Sequence, residues 1–297
     1  MARTLLSVNA GVNTVLTGVG TGNTKVKLPS AVGVSHNLDS PRTDASRSMT
    51  EHRRHAALAR IQANIETFGY HVYVVTGGPS PRWQYTIGLA PRHGAELLLA
   101  GATSYPGDVA FRVLQELVRR VGRVDTNGTE LSIEGLGTFT LRPVHRSWTN
   151  CLALGAQDFY QDENVPVWQI MPDEQHWTVD TPDLSCPRSP EVEPVWRWLT
   201  EPWPFGVSKR SVAVTNMAAL RGQPVTEGAR WALDEWELFA GAGPDMRAED
   251  VRRVPLATLL GADPTLVRMT ELAVGVGLWR EPTTLVWQEW RQRQEDA

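Results

Sequence analysis

Three side chains in the first half of the chain are of the types that general acid–base catalysis uses. Tyr85 lies in WQYTIGLA, Glu96 lies in AELLLAGA, and His145 directly follows TFTLRPV. A carboxylate can orient an imidazole as a general base while a tyrosine hydroxyl donates a proton. We therefore hypothesise that Tyr85, Glu96 and His145 converge in one cleft as a catalytic cluster.

Packing is the competing interpretation of the same positions. Alternation along a strand puts Tyr85 on one face with Trp83, as expected for an aromatic residue at the edge of a core. His145 follows Phe139 and Leu141 at two-residue steps, which predicts a buried strand face and a core histidine with satisfied hydrogen bonds. On this interpretation neither side chain takes part in a reaction.

Polar residues on the other predicted strands need partners of their own. Glu96 shares a strand face with Leu98, and a buried carboxylate must be paired or hydrogen-bonded. The residues that we predict to line a binding site are Thr86, Tyr160, Gln169 and Asp173. Gln169 and Asp173 lie in and just after a strand that ends at Pro172, from which side chains can reach a pocket rim. An ordinary turn-forming aspartate is the favoured interpretation of Asp173.

Other kinds of catalytic site find little support in the sequence. No Gly-x-Ser-x-Gly motif is present, and Cys151 lies in an apolar helical pattern that predicts an inert, buried thiol. His52 and His55 are three residues apart but lack the HExxH pattern, so we expect no metal site and no cofactor. Whether the protein is an enzyme is left open, with a non-catalytic role favoured.

Composition argues against several classes of partner. The formal net charge of −4 offers no basic field for nucleic acid or for an anionic membrane surface. No apolar run approaches the length of about 20 residues that a spanning helix needs. The two cysteines are 35 residues apart and suggest reduced thiols and a cytoplasmic location. The 26 arginines against 3 lysines suggest a GC-rich bacterial genome.

Periodicity places these residues on alternating strands and helices. Apolar residues at three- and four-residue steps predict a helix over residues 50–69, capped by Thr50. TGGPSPR joins two β-rich runs into a hairpin, and a further strand and helix follow. WTNCLALGAQDFY predicts one more helix, and VPVWQIM a last buried strand. This order is typical of an α+β domain.

The chain divides into segments of different composition. We predict a disordered or weakly structured extension over residues 1–48 and a first α+β domain over 49–185. A linker rich in proline and tryptophan follows over 186–207, then a second α+β domain over 208–290 and a charged tail over 291–297. Each domain is expected to hold a mainly antiparallel sheet with packed helices. In the second domain, Asp263 and Pro264 predict the start of a helix.

Several motifs of the first domain are familiar. NIETFGYHVYVV, WQYTIGLA, AELLLAG and FYQDENVPVWQIMPD resemble the bacterial domain-of-unknown-function family 4262 over about residues 55–185. The chain departs from the family pattern at Gly94-Ala95 and at QHWTVD after Pro172-Asp173. The resemblance implies a fold and a bacterial origin, but no established reaction.

The second domain shows a weaker resemblance of a different kind. VAVTNMAALRGQPV, DEWELFAG and VPLATLLGADPTL are similar to domain-of-unknown-function family 2185, which is grouped with immunity proteins that accompany bacterial toxins. This resemblance implies a protein partner such as a toxin. We therefore expect a non-catalytic binding or immunity-like protein, with a small-molecule enzyme that uses Tyr85, Glu96 and His145 as the alternative.

Overall fold

The computed structural model describes residues 44–122, 130–241 and 246–290, with side chains from residue 51 onward. Most of the predicted extension over residues 1–48 and the predicted tail over 291–297 lie outside the described residues. The first helix already begins at Asp44, so the prediction that Thr50 caps its start was wrong. None of the helices in the described residues combines the length and the apolar character needed to cross a bilayer.

Two six-stranded sheets with packed helices form the described part of the chain, which confirms the predicted α+β class. The α-helices are α1 (Asp44–Phe68), α2 (Ala90–His93), α3 (Gly107–Arg120), α4 (Arg146–Leu152), α5 (Leu154–Tyr160), α6 (Met217–Leu220) and α7 (Leu256–Ala262). The strands of the first sheet are β1 (His71–Val75), β2 (Trp83–Ile87), β3 (Glu96–Ala100), β4 (Glu130–Ile133), β5 (Gly137–Pro143) and β6 (Val167–Pro172). The strands of the second sheet are β7 (Val212–Asn216), β8 (Glu227–Ala232), β9 (Glu235–Phe239), β10 (Val251–Pro255), β11 (Gly277–Trp279) and β12 (Gln288–Glu289).

Helices cover both faces of the first sheet. The strand order is β1-β2-β3-β6-β5-β4, and among the described pairings of this sheet only the central pair, β3 and β6, is parallel. The apolar stripe of α3, which includes the fully buried Val113 and Leu117, packs on one face. Ile61 of α1, Leu152 of α4 and Ala156 of α5 belong to the core on the other face. The sheet is therefore the middle of three layers.

The second sheet is covered on one face only by the described residues. Its order is β10-β7-β9-β8-β11-β12, with β7 and β9 parallel. Trp236 and Leu238 of β9 pack with α6, α7 and a 3₁₀ segment, Pro264–Glu271, into a single core. Most of the larger side chains on the opposite face are half-buried or exposed, whereas the small Ala229 is buried there.

The segment between the two sheets packs closely against both of them. A 3₁₀ segment, Pro194–Leu199, buries Val195, Trp196 and Trp198. A Cβ atom at Gly261 of α7 would lie 2.6 Å from the Cα atom of Val195, so α7 and this segment are in backbone contact. The tryptophans in this region therefore serve packing.

Several predicted elements differ from the observed ones. The predicted helix in residues 148–160 is two helices, because Ala153 leaves the helical region with φ −117° and ψ 29°. Strand β10 escaped prediction because its VRRVP sequence carries two arginines where an apolar run would be expected. The side chain of Asp263 does cap the segment that begins at Pro264, by accepting from the Thr265 amide, as predicted.

Candidate functional site

Glu96 lies at the start of β3 with its side chain fully removed from solvent. Its Oε2 atom accepts a hydrogen bond of 2.6 Å from the Thr86 hydroxyl. Its Oε1 atom accepts from the backbone amides of residues 88–90, at 2.9 to 3.0 Å, and from the Tyr160 hydroxyl at 2.5 Å. Five donors therefore occupy this carboxylate, and they leave no open position for a substrate.

The donors around Glu96 are themselves held in place. Gly88 has a φ of +112°, and a Cβ atom there would lie 2.8 Å from Ile65 of α1, so both backbone angle and space require glycine. The Gly88 amide also donates to the Tyr160 oxygen at 2.8 Å. Burial, together with the negative charge of Glu96, raises the pKa of Tyr160, which keeps its hydroxyl protonated as a donor. The cluster thus fixes the turn from β2 into α2.

Tyr85 belongs to a different environment, although it lies on the neighbouring strand. Only 2% of the residue is exposed, and its hydroxyl accepts a hydrogen bond of 3.0 Å from the Gly155 amide. A Cβ atom at position 155 would lie 2.5 Å from that hydroxyl, so glycine permits the contact. The ring stacks on Tyr73 with a centroid separation of 5.4 Å, and burial raises the pKa of Tyr85. Glu96 bonds to Tyr160 and not to Tyr85.

His145 is exposed, so the expectation of a buried strand position was wrong. Strand β5 ends at Pro143, and His145 becomes the N-cap of α4, where its Nδ1 atom accepts from the Ser147 amide at 3.2 Å. No hydrogen bond among the described residues joins His145 to Glu96 or to Tyr85. The structure brings Glu96, Thr86 and Tyr160 together and leaves His145 outside that group.

Gln169 has a structural partner at each end of its amide group. It is fully buried in β6; its Nε2 atom donates to the Pro182 carbonyl at 2.6 Å, and its Oε1 atom accepts from the Leu184 amide at 3.0 Å. These two bonds attach the chain that follows the first sheet to the centre of that sheet. Gln169 is therefore not at a pocket rim.

Asp173 forms a pair with His176 that the sequence patterns did not suggest. The Asp173 Oδ1 atom lies 2.6 Å from the His176 Nδ1 atom, and the ring of His176 stacks on Tyr105 with centroids 5.0 Å apart. Burial alone would raise the pKa of Asp173, but hydrogen bonds from the Thr138 amide and from His176 outweigh it and lower that pKa. The sequence signal that could have indicated this pair is the spacing of three residues between the carboxylate and the histidine.

The pair of Asp173 and His176 stabilises the local backbone structure. Asp173 caps the 3₁₀ segment Glu174–His176, and a Cβ atom at Gly137 would lie 2.7 Å from the carboxylate. Within the described residues, no serine or cysteine side chain bonds to the His176 ring, so the pair lacks a nucleophile. The same residues contain no group of three or more side chains suited to a metal.

Comparison with known families agrees with the motifs of the first sheet. All six strands of that sheet lie between residues 71 and 172. Residues 64–177 match the family described as Domain of unknown function (DUF4262). The DUF4262 segment thus contains the Glu96 cluster and the Asp173 pair, and it confirms the resemblance predicted for the first domain. Neither the curated proteins nor the solved structures provide a match. The resemblance of residues 208–290 to family 2185 has no corresponding match and stays a prediction.

A buried histidine of the DUF4262 segment, His71, makes stability depend on pH. His71 is almost fully buried in β1, and its Nδ1 atom lies 2.8 Å from the side-chain nitrogen Nδ2 of Asn64. Burial, and then the charge of Arg60, lower the pKa of His71 to about 4. The unfolded chain takes up a proton near pH 6.5 while the folded chain stays neutral until about pH 4, so stability is lost as the pH falls.

We expect this histidine to cost about 2 kcal/mol of unfolding free energy between pH 7 and pH 5. Denaturant unfolding of the wild type and of His71→Gln at the two pH values measures it, because the variant lacks the titrating ring. His52→Gln is the matched control, since His52 is exposed on α1. An equal pH dependence in the wild type and His71→Gln would contradict the assignment.

Outside the DUF4262 segment, the uncovered side of the second sheet carries apolar side chains. We call this side the outer face and define it by Val214, Trp231, Phe239, Val251 and Trp290. Trp231 is 50% exposed and Trp290 43% exposed, and their rings lie 6.3 Å apart. The other three are half-buried and, with Trp290, line a shallow cleft of about 380 Å³.

Strand geometry explains why these residues share one face. In the pairing of β8 with β9, Gly228 lies opposite Leu238 on the core side, and Ala229 lies opposite Glu237 on the other side. Trp231 belongs to the second set, since its Nε1 atom donates to Glu237 at 2.7 Å. The ring of Trp290 covers Gly277, where a Cβ atom would lie 2.6 Å from it.

Proposed function

We propose that this protein acts by binding a partner protein, without catalysis, through the outer face of its second sheet. The observation that carries the proposal is the contrast between the two sheets. Helices cover both faces of the first sheet, whereas no described helix covers the outer face of the second. Exposed aromatic residues on such a surface are typical of a site of association.

The two tryptophans supply the centre of the proposed interface. Their indole rings are large, rigid and held in position, Trp231 by its bond to Glu237 and Trp290 by the flat surface at Gly277. Tryptophan is enriched among the residues that dominate binding energy, because a fixed ring loses little entropy on association. Association would remove both rings from water.

Charges around the tryptophans favour a basic partner. Strands β8 and β9 present Glu227, Glu235 and Glu237 to the outer face, where Glu235 also pairs with Arg253. Complementary charges at a rim accelerate encounter and suppress wrong partners. We therefore expect the partner to carry an apolar centre surrounded by arginine or lysine residues.

A more specific form of this proposal is an immunity-like role. The predicted resemblance of residues 208–290 to family 2185 supports it. The partner would then be a toxin, and the protein a bacterial and cytoplasmic one. The two cysteines, Cys151 and Cys186, are both free thiols in the structure, in keeping with a reducing compartment.

The contacts of Glu96 argue against acid–base catalysis as the main activity. A general base needs an accessible lone pair within reach of the substrate. The oxygens of Glu96 receive five hydrogen bonds in a site without solvent access, and His145 lies outside the cluster.

A differential pull-down tests the proposal. The tagged protein is incubated with an extract of its native cells, beside the double variant Trp231→Ser/Trp290→Ser and the control Phe68→Ser. Phe68 is 47% exposed but lies on α1, at the first sheet. We expect a protein recovered by the wild type and the control, with recovery reduced about thirtyfold or more in the double variant.

Two results would count against protein binding at the outer face. One is the recovery of no specific protein, including the products of neighbouring genes, by the wild type. The other is equal recovery by the double variant, with a far-UV circular dichroism spectrum that matches the wild type.

A further inference from the structure

A cleft with arginines on its walls lies between the two sheets. It has a volume of about 390 Å³ and is bounded by the connection from β1 to β2 on one side and by β7 and β10 on the other. Arg82, Arg210 and Arg253 line it, and no carboxylate is among the lining residues. This concentration of positive charge is unusual in a chain whose formal net charge is −4.

Arg82 is held in position by one of its nitrogens, and its other two nitrogens remain as donors for a ligand. Its Nη2 atom donates to the carbonyls of Ala102 and Tyr105, which sets the plane of the guanidinium. The Nε and Nη1 atoms have no hydrogen-bond partner among the described residues. Burial lowers the pKa of Arg82, although the charges of Asp180 and Asp108 oppose this change. A bound anion would replace the favourable solvation that the guanidinium loses on burial.

Neutral donors stand beside this arginine. Gly77 and Gly78 both have positive φ, +86° and +81°, which glycine adopts without strain. Their amides, and the hydroxyls of Thr76 and Ser80, make no hydrogen bond to other described residues. Glycine amides and hydroxyls grouped with arginine are the donor set that phosphate oxygens take in proteins.

The other two arginines differ in how far they are engaged. Arg253 donates to Glu235 at 2.8 Å and so contributes from the rim of the cleft. The guanidinium of Arg210 is exposed and has no partner within the described residues. Arg210 is therefore free to close over an anion that Arg82 holds.

An apolar pocket opens on the far side of Arg82. It has a volume of about 230 Å³, shares Thr76 and Arg82 with the cleft, and is walled by Val74, Trp83 and Leu99. A dry cavity of about 150 Å³ admits benzene, so this space is sufficient for one ring. Charged groups lie on one side of Arg82 and apolar walls on the other. The site therefore suits a molecule that has both a charged group and an apolar group.

We propose that the cleft and the pocket together bind a small phosphate monoester with a compact apolar group. The phosphate lies among Arg82, Arg210 and the Gly77-Gly78 amides, and the apolar group enters the pocket. A phosphate has more terminal oxygens than a carboxylate and matches the larger number of donors. The cleft adjoins the outer face, since Arg253 lies opposite Val214, but neither Trp231 nor Trp290 lines it, so the two proposals are tested independently.

Calorimetric titration of the full chain with phenyl phosphate tests the site. We expect saturable binding that is tighter than for inorganic phosphate, because only the ester fills the pocket, and no binding of phenol. Arg210→Glu should weaken phenyl phosphate binding about tenfold or more, since one charge-assisted bond is replaced by repulsion. Arg268→Glu is the matched control, because Arg268 is exposed on the 3₁₀ segment of the second domain, outside the lining of the cleft.

Three outcomes would overturn this inference. The first is no saturable binding of phenyl phosphate at millimolar concentration. The second is unchanged affinity in Arg210→Glu and in Arg253→Gln. The third is an equal loss in Arg210→Glu and Arg268→Glu, which would indicate a general effect of net charge. Because both cleft variants alter exposed side chains, loss of folding does not complicate the comparison.

Discussion

Replacing Glu96 with alanine is expected to destabilise the protein by about 4 kcal/mol, because the change leaves buried donors without an acceptor. The amides of residues 88–90 and the hydroxyls of Thr86 and Tyr160 all point at this carboxylate. The side chain is fully buried, so bulk solvent does not reach these donors in the folded protein. Denaturant unfolding followed by circular dichroism measures the loss, and hydrogen exchange of residues 88–90 locates it.

Milder changes at the same site should give graded effects. Glu96→Gln keeps one acceptor oxygen and should cost about 1 to 2 kcal/mol. Tyr160→Phe removes a single donor and should cost a similar amount. Glu116→Ala is the matched control, since Glu116 forms a surface pair with Arg119 on α3 that contributes about 0.5 kcal/mol or less. If Glu96→Ala unfolded at the same denaturant concentration as the wild type, the structural role of Glu96 would be wrong.

The largest effect near the second sheet is expected at Arg280, which follows β11. The exposed fraction of its side chain is 0%, and its three nitrogens donate to Val225, Thr265 and Asp263 at 2.6 to 2.7 Å. The guanidinium also lies 4.2 Å from the centroid of the Trp287 ring. Arg280→Met should cost about 3 kcal/mol, because it leaves Asp263 without its cation and a carbonyl without its donor.

Charge alone should not rescue this position. Arg280→Lys keeps the positive charge but cannot reach three separate acceptors, so we expect it to recover less than half of the lost unfolding free energy. Arg268→Met is the control, because Arg268 is exposed on the 3₁₀ segment Pro264–Glu271, and it should change stability by about 0.5 kcal/mol or less. Hydrogen exchange of residues 263–266 reports the local loss. Equal stability of Arg280→Met and Arg268→Met would contradict the expectation.

Local patterns were sufficient for the elements with a clear period. The stripe of α3 and the hairpin of β1 and β2 follow from side-chain spacing and turn residues, which act over a few positions. The same spacing placed His145 on a strand, but Pro143 ended β5 two residues earlier and His145 became a helix cap. Strand ends depend on neighbouring strands, so a period in one segment does not determine them.

The tyrosine that bonds to Glu96 could not be predicted from the sequence. Alternation alone indicated that this carboxylate lies on a buried strand face and therefore needs hydrogen bonds. Its phenol partner is Tyr160, 64 residues further along the chain, and not Tyr85 on the adjacent strand. No local rule selects between these tyrosines, since the choice depends on how α5 packs against β2.

The sequence by itself determined the α+β class, the DUF4262 resemblance and the need of Glu96 for buried partners, because composition, motifs and periodicity are properties of neighbouring residues. Only the tertiary structure decided that this carboxylate is closed to solvent, that one face of the second sheet is uncovered, and that Arg82 and Arg210 line one cleft. Each of these depends on contacts between segments far apart in the chain, and such contacts exist only after the sheets have packed together.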